Sequence, residues 1–428
     1  MNDLRERFRS LDEIEVPDAA AWRREPRPMP KGLSPARRLG TIVVAFAVAV
    51  AGVTFGIRAF RTSTDPVEPS PAPWADVGAG WTELPSPPEI REGAAWVWTG
   101  TEILGWGGCL QTDTDCVPTT DGFAYDAVTG SWGSMPAAPI AAVDVEAIWT
   151  GREAIFLGVG DDGASLEVVA FDPEADAWRT LPRSPITEAA GEVSVWTGTE
   201  IIVWGGGERD DPRGRAGAAY DPASDSWRVI AEAPIGLNHA DGIWTGREVL
   251  VVGSWLNGRN IAATETAVGA AYDPVADEWR RLPDSDLSPQ ATAAAWADGR
   301  LIAYDYDVHW QAYDPDSGSW TPSAPMPMDF DECYPDAVEV EGSVFAFFCG
   351  QAATFRDGEW ARVHGGLLDA TIDAGAGTYR LFRFADLVPA GEVLVFAAEG
   401  ITVAGEDETP CYGCPGSPHA FWVWRPPA

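Results

Sequence analysis

"GAAYDPASDSWRV", residues 217–229, runs from an aromatic through an Asp-Pro step and a short polar stretch to a Trp. Nearly the same string returns as "VAFDPEADAWRT" at 169–180 and "GAAYDPVADEWRR" at 269–281. A ligand site is ordinarily unique, whereas a motif that returns at near-constant spacing belongs to a repeated scaffold. The Trp recurs at 132, 178, 227, 279, 320 and 360, on average about 46 residues apart. Its aromatic partners are Tyr125, Phe171, Tyr220, Tyr272, Tyr313 and Phe355.

A second line of the repeat ends in Trp-Thr-Gly, at Trp98, Trp149, Trp196 and Trp244, with a degenerate copy from Trp296 to Gly299 and weaker echoes at Gly342 and Gly391. Each copy is followed by an apolar run such as "EIIVWGGG" or "EVLVVGS". Across residues 193–231 the segments "VSVWTG", "EIIVWGG", "GAAYDP" and "SWRVIA" follow one another without a helical stretch. Their β-branched and aromatic content and their turn residues predict four short strands per unit. Four strands in under fifty residues make one blade of a β-propeller.

The ends of the chain set the blade count. "GWTELPSPP" at 80–88 matches a fourth strand with no strands before it, and "HAFWVWRPP" at 419–427 matches a third strand with none after it. Joined, they complete a seventh blade and leave no open sheet edge to aggregate. The fold expected is therefore all-β, a seven-bladed β-propeller of four-stranded blades over residues 78–428. The Gly-Gly at the end of the second strand (Gly107-Gly108, Gly205-Gly206), followed by a Tyr and a Trp a few residues apart, resembles the Kelch repeat. Later units lose the glycine pair. The resemblance covers roughly residues 78–426 and implies architecture rather than an activity.

Ahead of the propeller, residues 39–57 ("LGTIVVAFAVAVAGVTFGI") carry no charge, a length that matches a single membrane crossing. Arg23, Arg24, Arg27, Lys31, Arg37 and Arg38 precede it. The positive-inside rule then leaves residues 1–38 as a cytoplasmic tail and places the body outside the cell, on a signal-anchor helix. A cleaved signal peptide is the alternative. Residues 58–77 are Pro-rich and read as an extended linker. The tail places Leu4, Phe8, Leu11 and Ile14 on one helical face, and this layout resembles membrane-bound regulators of sigma factors, which implies a cytoplasmic partner.

Charge is divided in the same way. Residues 1–61 hold 11 of the 29 basic and 7 of the 65 acidic residues, so the body is strongly acidic. Such a surface repels phosphate backbones and argues against nucleic-acid binding. All six cysteines follow the apolar segment, as export predicts. They fall in sequence-local pairs, so of the fifteen possible pairings disulfides are expected between Cys109 and Cys116, Cys333 and Cys349, and Cys411 and Cys414, with a redox-active or metal-binding Cys411-Tyr-Gly-Cys414 as the alternative for the last.

Function is sought in what does not repeat. The first-to-second and third-to-fourth turns are short and near-constant, whereas the second-to-third and fourth-to-first connections vary. Hairpin geometry gathers the variable ones on one rim, the default place for recognition. There Arg209, Arg213, Arg215 and Arg259 are positive charges on an acidic body, and with Trp255, Asn257 and Trp310 they could grip an acidic or sugar-like ligand. Asp329, Asp331 and Glu332 could attract Ca²⁺, without EF-hand spacing to support it. No cofactor motif and no catalytic constellation is present: His239, His309, His364 and His419 each stand alone. The Asp-box-like "PDSGSW" falls at the repeat's turn and reads as structural. The expectation is a membrane-anchored extracytoplasmic module that binds or senses a protein or glycan. A propeller enzyme acting on glycans, or a regulator working through its tail, is the alternative.

Overall fold

The computed structural model describes residues 72–427 except 90, 112–115, 161–164, 187–192, 206–211, 238, 255, 258–260, 263–266, 289–291, 306, 330–335, 349, 370, 374–377 and 401–418. The expected tail and apolar segment, most of the linker, and Cys333, Cys349, Cys411 and Cys414 lie outside the described residues. Among the described residues no helix is long and apolar enough to cross a membrane.

Blade 3 shows how the repeat folds. Its strands Val193–Trp196, Ile201–Trp204, Gly217–Asp221 and Ser226–Val229 pair antiparallel in sequence order. The first turn is closed by Thr197, whose hydroxyl accepts the Glu200 amide at 3.0 Å and donates to the Glu200 carbonyl at 2.9 Å. The second is set by the recurring Asp-Pro. Asp221 accepts the Ala223 amide at 2.8 Å, an Asx turn, and Asp225 takes a left-handed backbone with φ 50°. Every second strand is wedged between neighbouring sheets, so Ile201–Trp204 is buried throughout, whereas Ser226–Val229 stands at the outer edge and stays largely exposed. That asymmetry is why second strands read as unbroken apolar runs and fourth strands do not.

Six units of this kind follow in sequence. Blade 1 comprises Glu92–Trp98, Glu102–Gln111, Gly122–Asp126 and Ser131–Met135, and blade 2 comprises Val143–Trp149, Ala154–Val159, Leu166–Asp172 and Ala177–Thr180. Blade 4 comprises His239–Trp244, Val249–Ser254, Val268–Asp273 and Glu278–Arg281. Blade 5 comprises Thr292–Ala297, Arg300–Asp305, His309–Asp314 and Ser319–Trp320, and blade 6 comprises Asp336–Val340, Ser343–Phe348, Gln351–Arg356 and Glu359–Val363. The seventh is built from both ends of the body. Thr378–Ala390, Val393–Gly400 and His419–Arg425 are completed by Gly80–Leu84, which pairs from Gly80↔Arg425 to Leu84↔Phe421. The protein is thus a seven-bladed propeller, closed by its N-terminal strand as the sequence predicts.

The core is a ring of seams between blades rather than one central mass. One cluster joins Ile202 and Trp204 of blade 3 to Val249, Val251 and Tyr272 of blade 4. Another joins Val395, Phe421 and Val423 of blade 7 to Trp96, Ile103 and Tyr125 of blade 1. The motif Trp bolts five of these seams. Trp132, Trp178, Trp227, Trp279 and Trp320 donate their indole N–H to the carbonyls of Pro85, Pro136, Pro182, Ala231 and Pro283, each just after the fourth strand of the preceding blade, at 2.7–2.9 Å. The glycine pair also serves a seam. Gly107 has φ +83°, and a Cβ there would stand 2.5 Å from Val145 of blade 2. The Gly108 amide meanwhile donates to the Ala142 carbonyl at 2.9 Å.

Some of the variable connections carry strands that the sequence reading leaves as loop. Cys116–Pro118 adds to the second strand of blade 1, Leu256–Asn257 pairs with Ile261–Ala262, and Ala324–Pro325 pairs with the third strand of blade 5.

Candidate functional site

First strands line the axis of a propeller, and here those of six blades border an open axial tunnel with a cavity of about 460 Å³. Carboxylates from four blades border it: Glu146 of blade 2, Asp241 of blade 4, Asp336 of blade 6 and Asp386 of blade 7. They sit at one level, three or four residues before each strand ends at its short first-to-second turn. Glu146 and Asp386 are exposed and Asp241 and Asp336 are half-buried, so water reaches all four carboxylates.

That setting has a cost in ionisation. The depth of the cavity pushes the Glu146 carboxyl up to about 7, against the opposing effect of the Ser194 hydroxyl, which donates to it. Burial also pushes Asp241 up to about 7; the nearby Asp336 and Glu146 carboxylates add to the shift, and the Ala294 amide, donating at 2.6 Å, opposes it. Burial takes Asp336 up to about 6. The backbone of Asp336 is fixed by Tyr304. Its hydroxyl accepts the Asp336 amide at 3.0 Å and lies 2.6 and 2.7 Å from the Asp336 and Phe347 carbonyls, either of which can take its proton. Groups that titrate near neutrality, gathered around one cavity, can hold a cation, accept hydrogen bonds from hydroxyls, or pass protons.

A second polar cluster stands at the long-loop rim of blade 1. Arg91 is 6% exposed, and its guanidinium donates to Glu89 at 2.7 and 3.0 Å, to Asp121 at 2.7 Å and to Thr119 at 2.5 Å. Its contacts are internal, and they hold the end of the 109–122 connection in place.

Of the residues expected to bind ligand, Arg209, Trp255 and Arg259 lie outside the described residues. Arg213 falls in the 3-10 turn Pro212–Arg215 and Asn257 in the strand Leu256–Asn257. Arg215 donates through Nε to the Ala233 carbonyl at 2.8 Å and sits 3.7 Å from Glu232. Trp310 packs on Phe355 at 4.9 Å and Trp360 at 6.0 Å, across the seam to blade 6. The structure ties Arg215 and Trp310 into the frame through these contacts. Asp329 is paired with Arg362 at 3.2 Å, while Asp331 and Glu332 lie outside the described residues.

The tunnel carboxylates escaped sequence reasoning, and a signal for two of them existed. Glu146 and Asp241 each stand three residues before a Trp-Thr-Gly, where the blade 1 copy has Ala95. A charge at an otherwise small or apolar position of a repeated strand marks a place that the scaffold does not require.

No family model matches the sequence, and no curated protein does. Among solved structures, that of YjhT aligns over 66% of this chain and 99% of its own, with a TM-score of 0.45 and 13% sequence identity. Likeness of that degree lends nothing to the functional reading.

Proposed function

We propose that the protein is an extracytoplasmic propeller of Kelch type that binds a hydroxyl-rich or cationic ligand, of glycan or protein origin, over its long-loop rim and acidic tunnel. The observation that carries this is the convergence of Glu146, Asp241, Asp336 and Asp386, from four separate blades, on one cavity. Arg209, Arg213, Arg215, Arg259, Trp255, Asn257 and Trp310 are proposed as ligand contacts in the rim part of this reading. Calorimetric titration of the full chain with cell-wall oligosaccharides and with polyamines tests the tunnel part. Binding that weakens at least tenfold in Asp241→Asn supports it, and binding indifferent to both Asp241→Asn and Glu146→Gln overturns it.

A glycan-processing enzyme is the second reading, favoured by carboxyls brought to about 6 and about 7, where one group can donate and another accept a proton. Products in the same oligosaccharide mixtures, detected by mass spectrometry and absent with Asp241→Asn, would establish it.

The location belongs to the same proposal. Residues 39–57 anchor the chain in the membrane, with residues 1–38 inside, where they are free to engage a cytoplasmic partner. The described chain enters at the short-turn rim, where Trp74 packs on Trp98 at 5.3 Å. Disulfides suit an exported protein. Cys109 is buried, no free cysteine occurs among the described residues, and the strand Cys116–Pro118 folds back on the strand that bears Cys109, which supports a Cys109–Cys116 bridge.

A further inference from the structure

Three seams are locked by a recurring arginine. In blade 2, Arg179 follows the motif Trp on the fourth strand and grips Glu153 with both arms of its guanidinium, at 2.9 and 2.8 Å. Its third nitrogen reaches forward to Asp225 of blade 3 at 2.9 Å, and Tyr220 lies alongside at 3.3 Å. In blade 3, Arg228 holds Glu200 at 2.7 and 3.2 Å, with Tyr272 at 3.2 Å and Asp277 at 3.7 Å in blade 4. In blade 4, Arg280 holds Glu248 at 2.6 Å and Tyr313 of blade 5 at 3.2 Å. The blade 7 glutamate at the matching turn, Glu392, is met instead by Arg425 at 2.9 Å.

Blade 1 keeps the carboxylates and lacks the arginine. Gly133 occupies the register position of Arg179, opposite Ala124 as Arg179 is opposite Ala170. Glu102 stands where Glu153 does, and across the seam Asp176 stands where Asp225 does, with the same left-handed backbone (φ 49° and 50°). Phe171 replaces Tyr220, so the hydroxyl that holds Asp225 at 2.6 Å is missing too. Among the described residues no cation pairs with Glu102 or Asp176. The space is left as a cavity of about 330 Å³ bordered by Glu102, Asp126, Trp132, Gly133, Phe171 and Asp176. Burial and the neighbouring Asp126 and Asp176 carboxylates push the Glu102 carboxyl above its usual range, as expected where negative charge is left uncompensated.

The geometry points to the blade 1–blade 2 seam as a notch for a guanidinium group, supplied by an arginine side chain of a partner protein. The acidic residues alone would not argue this; the sibling seams do, because two of them hold that group between the same Glu and Asp and the third holds it on the Glu. The forked contact selects guanidinium over ammonium, since only the planar fork can meet both Glu oxygens and reach the Asp at once. Trp132 and Phe171 add aromatic walls that favour a weakly hydrated cation. The notch lies among the short turns, on the rim opposite the variable loops, and is independent of the tunnel.

The test uses the full chain and a fluorescein-labelled acetyl-Gly-Arg-Gly amide, followed by anisotropy at low ionic strength. Matched peptides carry lysine or citrulline in place of arginine, and free guanidinium chloride serves as competitor. Saturable binding at least tenfold tighter for arginine than for lysine or citrulline is expected, weakening at least fivefold in Glu102→Gln and in Asp176→Asn. Gly133→Arg should fill the notch from within, abolish peptide binding and raise the melting temperature; a Cβ at 133 meets nothing nearer than the Ala124 carbonyl at 3.9 Å. No saturable binding, no preference for arginine, or binding unchanged in Glu102→Gln and Asp176→Asn would overturn the assignment, whether or not Gly133→Arg folds. Equal affinity for guanidinium ion and peptide would also overturn it, by making the site one for small cations rather than a partner's side chain.

Discussion

Trp227 does two things at once. Its ring packs on Tyr220 with centroids 5.1 Å apart, and its indole N–H reaches the Pro182 carbonyl of the preceding blade at 2.8 Å. The side chain is half-buried. The loss in Trp227→Ala is therefore set at about 2 kcal/mol, below the ~3–5 kcal/mol typical of a fully buried Trp. Trp227→Phe keeps most of the packing and gives up the hydrogen bond, for about 1 kcal/mol. Urea denaturation of the two variants checks the order, and an equal loss in both would remove the seam bond from the account. The motif's repetition is what marks Trp227 as scaffold in the sequence. Its bond to Pro182 is not legible there, because the partner stands 45 residues away in another blade. The arginine clamps share that difficulty: Arg179 and Arg228 are printed beside the Trp, yet their meaning depends on glutamates 26 and 28 residues upstream.

At the scale of the element, the strand Gly80–Leu84 closes the ring against His419–Arg425. It covers Phe396, Phe421 and Trp424, all buried in the closed form. Removing residues 1–85 should open blade 7, bare one sheet edge and its aromatics, and drive association. Size-exclusion chromatography and dye binding would report it, whereas removal of residues 1–71 should leave a monomeric, fully folded propeller. If both truncations behave alike, closure by this strand does not stabilise the ring. The strand was identifiable beforehand because "GWTEL" copies the fourth-strand pattern and has no strands of its own to pair with. The short pairings in the variable connections were hidden for the opposite reason. Cys116–Pro118 and Ala324–Pro325 are too short for any periodicity to show, and they exist only because a neighbouring edge is free to receive them.

Across the whole molecule, the tunnel gathers charges that no single blade reveals, which is why a reading by repeats could establish the architecture and miss Asp336 and Asp386 altogether. Its carboxyls also set a pH dependence. Glu146, Asp241 and Asp336 titrate at about 7, about 7 and about 6 when folded, above their values in an unfolded chain near 4. The folded state thus binds more protons between those values. The stabilisation is complete below about pH 4 and is lost as pH rises through about 6 to 7. Melting temperature should climb as pH falls from about 8 to about 5, and Asp241→Asn should raise it at pH 8 and flatten the slope. A wild-type profile that Asp241→Asn leaves unaltered would contradict this. Turn aspartates such as Asp225 and Asp277, whose carboxyls are held below the usual range by hydrogen bonds, pull the other way only in stronger acid.

The entry of the chain also decides how the ring answers to force. Trp74 is buried against blade 1, its carbonyl accepts the Arg425 guanidinium at 2.8 Å, and the closing strand starts six residues later at the same rim. A pull directed along the closing strand from that rim loads its ladder in shear, all rungs together, instead of peeling them one by one. The latch and the ladder then yield as a unit, so the seventh blade holds up to a threshold and opens abruptly past it.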